Sequence, residues 1–215
     1  MTMRRLGILG GSFDPIHNGH MHMAVSACRY FDLSEVWLVP AGHSPNKNEA
    51  GMTAAEHRFR MCELAAAGAE GIRASRLELD SAERSYTYRT LERLKADMPS
   101  TELYFIMGGD SLDYFDQWVK PERICELATI LVVPRDSFET EALRAKIKEL
   151  QSLFPCRVEI VPASLVPQSS TALREELGAG RADPGDFPGG VYAYIKEHGL
   201  YQPRNKGKEE MDQRQ

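Results

Sequence analysis

Two short apolar runs that each stop at paired glycines constrain the fold most: Leu6-Gly7-Ile8-Leu9 before Gly10-Gly11, and Tyr104-Phe105-Ile106-Met107 before Gly108-Gly109. Such runs read as buried strands, and paired glycines as turns where another group can approach the backbone. Further strand-like runs at 36–40, 72–79, 129–133 and 158–161 alternate with helix-like segments at 19–31, 53–68, 87–96 and 139–154. Thr53 and Glu56 have the spacing of a capping box, which sets the start of the second helix. Strands alternating with helices of about 10–15 residues build βαβ crossovers. The expected fold class is therefore α/β: a doubly wound, Rossmann-like, mostly parallel sheet with helices on both faces. Ligands of such folds sit at the carboxyl ends of strands, where the strand order reverses. The segments after the first and second strands and after 104–107 are thus the candidate site loops.

The 215 residues suit a single domain, expected over 1–202 with a helical C-terminal part at about 169–201. The polar tail 203–215 has no apolar period and is expected to be disordered. Lys and Arg number 26 against 31 Asp and Glu, a net charge of −5, so there is no electrostatic footprint for nucleic acid or an anionic membrane. Any bound phosphate must then be held locally. Apolar runs fall far short of the roughly 20 residues that span a bilayer, and Met1-Thr2-Met3-Arg4-Arg5 leads into a strand rather than an export signal. A cytoplasmic protein is expected. Cys28, Cys62, Cys125 and Cys156 are widely spaced and read as reduced, mostly buried thiols.

The stretch from Gly10 to His20, Gly-Gly-Ser-Phe-Asp-Pro-Ile-His-Asn-Gly-His, falls between the first strand and the first helix. It is not a GxGxxG dinucleotide fingerprint, because Ser12 stands at the second glycine, and no Gly-Lys-Ser/Thr follows to make a Walker A loop. The glycines let a phosphate approach the backbone, and His17 and His20, three apart on the first helical turn, share a face. The helix N-terminus adds N–H donors and positive potential, which suit a polyphosphate. Two other readings stand beside this one: surface histidines at a polar helix start, and a metal site made with His22, which lies off the shared face. Ser169-Ser170-Thr171-Ala172-Leu173-Arg174 reads equally as a helix N-cap and as a phosphate site. For Asp14, which opens the turn before the helix, a structural Asx role and a ligand role are equally open.

Together, Gly-Ser-Phe-Asp-Pro-x-His-x-Gly-His and Ser-Ser-Thr-x-x-Arg resemble the signatures of the nucleotidylyltransferase superfamily, with His17-Asn18-Gly19-His20 as its HxGH motif. From Leu6 to Tyr201 the chain resembles the bacterial nicotinate-nucleotide adenylyltransferase family within it. The landmarks are Pro40 followed by Pro45 and Lys47; Arg58 with Met61 and Leu64; and Ser85-Tyr86-Thr87 with Thr90 and Leu91. Gly108-Gly109-Asp110-Ser111 with Phe115 and Trp118, and Tyr194-Ile195 leading to Gly199-Leu200-Tyr201, complete them. The chain departs from the family at Asn46, where a His is usual; His43 stands nearby.

The resemblance implies adenylyl transfer from ATP to nicotinate mononucleotide, giving nicotinate adenine dinucleotide and pyrophosphate. It implies Mg2+ held mainly through the ATP phosphates, with no metal-ligating residues in the protein. An attacking phosphate is already ionised near neutral pH, so this chemistry needs positioned donors rather than a general base or covalent nucleophile. The implied catalytic residues are His17, His20 and Arg174. Gly10, Ser12, Phe13, Gly108, Asp110, Arg135, Ser169, Ser170 and Thr171 are implied to meet ATP. Gly11, Lys47, Thr87 and Trp118 are implied to meet the mononucleotide. Trp118 also reads as a core aromatic beside Phe115, and Lys47 as a solvated loop charge. The polar loop 41–52 is long enough to close as a lid. No nucleic-acid or membrane partner is implied, and a homo-oligomer is compatible with the sequence. The alternatives are another nucleotidylyltransferase, such as one acting on phosphopantetheine, and a non-catalytic nucleotide sensor. The 108–118 block speaks against the first and the intact histidines against the second.

Overall fold

The computed structural model describes residues 3–42, 51–81, 83–134, 141–163 and 166–202. Its strands are β1 (Arg5–Gly11), β2 (Glu35–Pro40), β3 (Ile72–Ala74), β4 (Glu102–Gly108), β5 (Ala128–Val133) and β6 (Val158–Ile160). They form one sheet in the order β3-β2-β1-β4-β5-β6. Every neighbouring pair is parallel. The chain winds outward from β1 to β3, returns to lay β4 on the other side of β1, and winds outward again. That is the doubly wound Rossmann-like topology, with its switch point between β1 and β4.

The connecting helices are α1 (Asn18–Tyr30), α2 (Ala55–Ala66), α3 (Thr87–Asp97), α4 (Gly109–Leu112), α5 (Pro121–Leu127) and α6 (Glu141–Leu153). The C-terminal part adds α7 (Ser170–Gly178) and α8 (Val191–Glu197). Strand side chains alternate between faces, and here both faces are covered, so the strands are apolar almost throughout. Leu9, Val36, Leu38, Ile106, Leu131 and Val133 pack with residues of α1, α2, α7 and α8. Leu6, Ile8, Val39, Phe105, Met107 and Val132 pack with α3, α4, α5 and α6. At Gly7 the layers close so tightly that a Cβ would lie 2.8 Å from the side chains of Leu33 and Val36, which leaves room only for hydrogen.

Several features differ from the sequence reading. The paired glycines are not turns: Gly10 and Gly11 are the last residues of β1, in register with Val39 and Pro40 of β2, and Gly108 ends β4 while Gly109 opens the short, unexpected helix α4. The strand expected at 72–79 is only Ile72–Ala74: Ser75 N–H still reaches the Leu38 carbonyl at 2.9 Å, then Asp80 N–H bonds back to Arg76 and turns the chain. The capping box at Thr53 and Glu56 does not form, because tertiary partners take its groups. The N-cap of α2 is Ala54, the Thr53 amide donates to Asp14 (3.4 Å), the Thr53 carbonyl accepts from Arg58 Nε (2.9 Å), and Glu56 pairs with Arg76. The helix α5 was not expected; it is seven residues long and begins at Pro121, a residue suited to a first helical turn.

All four cysteines are free thiols, and Cys62, Cys125 and Cys156 are buried. Burial pushes the Cys125 thiol up to about 12. Most of the expected lid with His43, Asn46 and Lys47, the expected adenine neighbour Arg135, and the tail 203–215 lie outside the described residues. Among the described residues no helix is long and apolar enough to cross a membrane.

Candidate active site

β1 and β4 lie side by side, with Leu9 opposite Ile106, and their carboxyl ends open on the switch point. Beside Gly10 the space is open, the nearest atom to a Cβ built there being a Phe105 ring carbon at 3.8 Å. A ligand can therefore approach the backbone. The chain next turns through Ser12 and Phe13, whose φ of 47° lies in the left-handed region that side chains rarely adopt. Phe13 is 1% exposed and its ring meets that of His20 edge-on at 5.0 Å. What Phe13 can offer a nucleotide is thus its backbone.

His17 is the N-cap of α1 and His20 lies in its first turn; their rings stack at 3.7 Å with 28° between planes. The His17 amide donates to His20 Nδ1 at 3.4 Å. That makes Nδ1 the acceptor of the neutral ring and leaves the proton on Nε2 as a donor. His17 is 5% exposed, and its Nδ1 has no partner among the described residues. Burial lowers its pKa to about 4, so it is neutral at neutral pH. A Cβ at Gly19 would stand 3.0 Å from the His17 ring and 3.2 Å from the Val166 carbonyl, so the glycine lets ring and C-terminal segment meet. The surface reading of His17 is thereby excluded. The metal reading with His22 also falls: that residue lines a separate groove with Val25 and Arg29, and among the described residues no three His, Cys, Asp or Glu side chains are grouped to hold an ion.

The start of α1 is tied to the C-terminal segment. Gly19 N–H donates to Gln168 Oε1 (3.0 Å), Asn18 Nδ2 to the Gly185 carbonyl (2.7 Å), and Gln168 Nε2 to Asp186 (2.7 Å). Fewer helix-start amides are open than the motif alone implies. Ser169 caps α7 by accepting from Ala172 N–H (3.2 Å), and Ser170 donates to the Pro15 carbonyl (3.0 Å). Arg174 donates from Nη1 to the Asp14 carbonyl (2.6 Å) and from Nη2 to Thr171 Oγ1 (3.1 Å). These two bonds occupy two of the five guanidinium N–H groups. The 169–171 hydroxyls therefore carry structural bonds, as the N-cap reading has it. Asp14, 3% exposed, accepts from the Tyr201 hydroxyl at 2.6 Å, which identifies it as an anchor for the chain's C-terminal part. Burial and the adjacent Asp14 carboxylate raise the pKa of the Tyr201 phenol.

Beside the carboxyl end of β1 lies a cleft of 720 Å³, whose walls include Gly10, Gly11, Ser12, Thr87 and Trp118. Thr87 is the first residue of α3; the Arg89 and Thr90 amides bond the Tyr86 carbonyl (2.9 and 3.2 Å), and those of Thr87 and Tyr88 come before the helical ladder begins. Trp118 packs with Phe105 and Phe115 at ring distances of 5.9 and 5.5 Å, as its core reading has it, and it also lines the cleft. Gly108 ends β4, and Asp110, exposed, lies in the first turn of α4 at the same sheet edge. His17, His20 and the 169–174 group adjoin the β1–α1 turn without lining this cleft.

Two charged residues at this site were not assigned roles from the sequence. Arg58, 2% exposed, donates to the carbonyls of Thr53 (2.9 Å), Ser12 (2.8 Å) and Ala41 (2.7 Å) and so binds three segments together. Its signal was an arginine at helical spacing with the apolar Met61, Cys62 and Ala65. Glu78, a carboxylate on the cleft wall, had no comparable local signal.

A family model described as cytidylyltransferase-like matches residues 8–176. A probable nicotinate-nucleotide adenylyltransferase of Lachnoclostridium phytofermentans is 35% identical over 199 residues, covering 93% of this chain and 100% of the relative. One of Geobacillus kaustophilus is 37% identical over 202 residues, covering 94% and 88%. Among solved structures, Plasmodium falciparum nicotinic acid mononucleotide adenylyltransferase complexed with NaAD is similar with a TM-score of 0.72 at 22% identity, covering 92% of this chain and 97% of that one. That likeness bears on the fold.

Proposed function

The chain belongs to the cytidylyltransferase-like family, among proteins named nicotinate-nucleotide adenylyltransferase, and on that premise we propose that it adenylates nicotinate mononucleotide with ATP. The observation that carries this reading is the stacked His17–His20 pair on the β1–α1 connection, the same connection that Arg174 grips at Asp14 and that borders, at Ser12, a cleft walled by Thr87 and Trp118.

The 5′-phosphate oxygen of the mononucleotide attacks the α-phosphorus of ATP, a new P–O bond forms, and the α–β P–O bond breaks to release pyrophosphate. The nucleophile is already an anion, so the protein's part is in-line placement and neutralisation of charge on the transferring group. His20 offers Nε2–H, His17 a buried neutral imidazole, and Arg174 its remaining N–H groups. Gly10, Ser12 and the Phe13 backbone are assigned to the ATP phosphates, Ser169, Ser170 and Thr171 to the α7 start beside them, and Gly108 and Asp110, where β4 passes into α4, to the ribose hydroxyls. Gly11, Thr87 and Trp118 take the mononucleotide, with the Thr87 and Tyr88 amides at the start of α3 towards its carboxylate and the indole against its pyridine ring. Lys47 and Arg135 are assigned to the mononucleotide phosphate and the adenine on family resemblance. Mg2+ is assigned to the triphosphate, since this cation is usually held through substrate phosphates and water rather than by an all-protein cage.

Pyrophosphate release with Mg·ATP tests the reading, with nicotinate mononucleotide, nicotinamide mononucleotide and phosphopantetheine compared as acceptors. Turnover should favour nicotinate mononucleotide. His20→Ala should lower kcat about 10²–10³-fold, as loss of a preorganised donor does. Turnover with phosphopantetheine alone, or full activity of the variant, would contradict the assignment.

A further inference from the structure

Glu78 lies in the segment between β3 and α3, where the sheet ends and the cleft wall begins. Thr90 Oγ1, one turn into α3, donates to Glu78 Oε1 at 2.6 Å, and the Ser85 hydroxyl also bonds this carboxylate. Ser85 Oγ in turn accepts from the Gly42 amide at 3.0 Å. A carboxylate accepts only, so both hydroxyl protons point at Glu78, and the Ser85 lone pairs are left for Gly42. The contact is close on the backbone side as well: a Cβ at Gly42 would lie 2.4 Å from the Glu78 carbonyl oxygen. One carboxylate thus holds the turn that leads into α3, the first turn of α3, and the backbone that follows β2.

We propose that Glu78 is the positioning residue for the mononucleotide end of the cleft. Through Ser85 and Thr90 it sets where the leading amides of α3 and Thr87 stand, and through Ser85 and Gly42 it sets the chain leaving β2. The inference rests on the functional reading above. It adds to that reading a residue that acts on one substrate and not the other, because the bonded groups border Thr87 and Ala41 rather than the histidines. The raised pKa of Glu78, caused by burial and opposed by the two hydroxyls, fits a carboxylate kept from water by these partners.

Glu78→Gln keeps the shape but turns one acceptor into a donor, so Ser85 and Thr90 can no longer both donate to this side chain as they do to the carboxylate, and one hydroxyl must turn its proton elsewhere. Ser85→Ala removes the link to Gly42 with little change in volume. Each variant should raise KM for nicotinate mononucleotide about 10-fold, with KM for ATP and kcat changed less than about 3-fold, as expected for lost ground-state positioning. Quenching of Trp118 fluorescence by nicotinate mononucleotide alone should shift to about 10-fold higher concentration in parallel. The double variant should be no worse than the poorer single one, since both break one chain of bonds. Equal rises in both KM values, or a loss of thermal stability with the mononucleotide KM unmoved, would overturn the proposal. If Glu78→Gln fails to fold, Ser85→Ala decides alone. Absence of wild-type turnover on nicotinate mononucleotide would instead overturn the functional reading.

Discussion

His17 and His20 touch face to face, and His17 faces a large cost when it takes up a proton. The folded pKa of His17, about 4, lies below the ordinary 6.5 because burial disfavours the cation. As pH falls the unfolded chain is protonated first. The stability gained by burying a neutral ring is therefore whole above about pH 6.5 and is lost as pH falls from there towards 4, by up to about 3 kcal/mol. Urea unfolding of wild type and His17→Asn over that range should show the wild type losing more stability; parallel curves would contradict this origin. The histidines were legible in the sequence because a three-residue spacing just after a strand that ends in paired glycines is local information. Arg58 and Glu78 were not, because what defines them is remote: Arg58 reaches carbonyls 46 and 17 positions away, and Glu78 a hydroxyl 12 positions away.

At the scale of elements, α7 and the chain after α8 hold the β1–α1 turn in place. Ser170 and Arg174 grip the Pro15 and Asp14 carbonyls, while Tyr201 reaches the Asp14 side chain. Tyr201→Phe would leave a buried carboxylate short of its phenolic donor, which typically costs about 1.5–3 kcal/mol. Thermal or urea unfolding should register that loss, and an unchanged midpoint would show that Asp14 finds a substitute partner. The long periodic helices and the five- to seven-residue apolar strands were legible at this scale because each buries a continuous face. Thr53 misled because its amide, carbonyl and hydroxyl are all taken by distant groups, Asp14, Arg58 and Tyr201, so the local capping motif lost to tertiary bonds. The early end of β3 and the existence of α5 were hidden for another reason. Both are short, and what decides them is the turn at Arg76–Asp80 in one case and packing of Ile124 and Cys125 in the other.

Over the whole molecule, the residues that close one face of the sheet come from both ends of the chain. Leu173, Leu177, Phe187, Val191 and Ile195 share a core with Leu9, Ile16 and Met21. We expect residues 1–202 to unfold as one unit, with calorimetric and van't Hoff enthalpies equal; two separable transitions would mean that the C-terminal part stands alone. The doubly wound plan was readable because alternating strands and helices leave few topologies, and a switch point follows from the plan itself. A sheet that is not closed on itself must still end somewhere. Its outer strands, β3 and β6, are three residues each, set outside four longer strands. Each border therefore offers a second chain only a brief row of open N–H and C=O groups to copy, so strand-by-strand growth into aggregates has little template from which to begin.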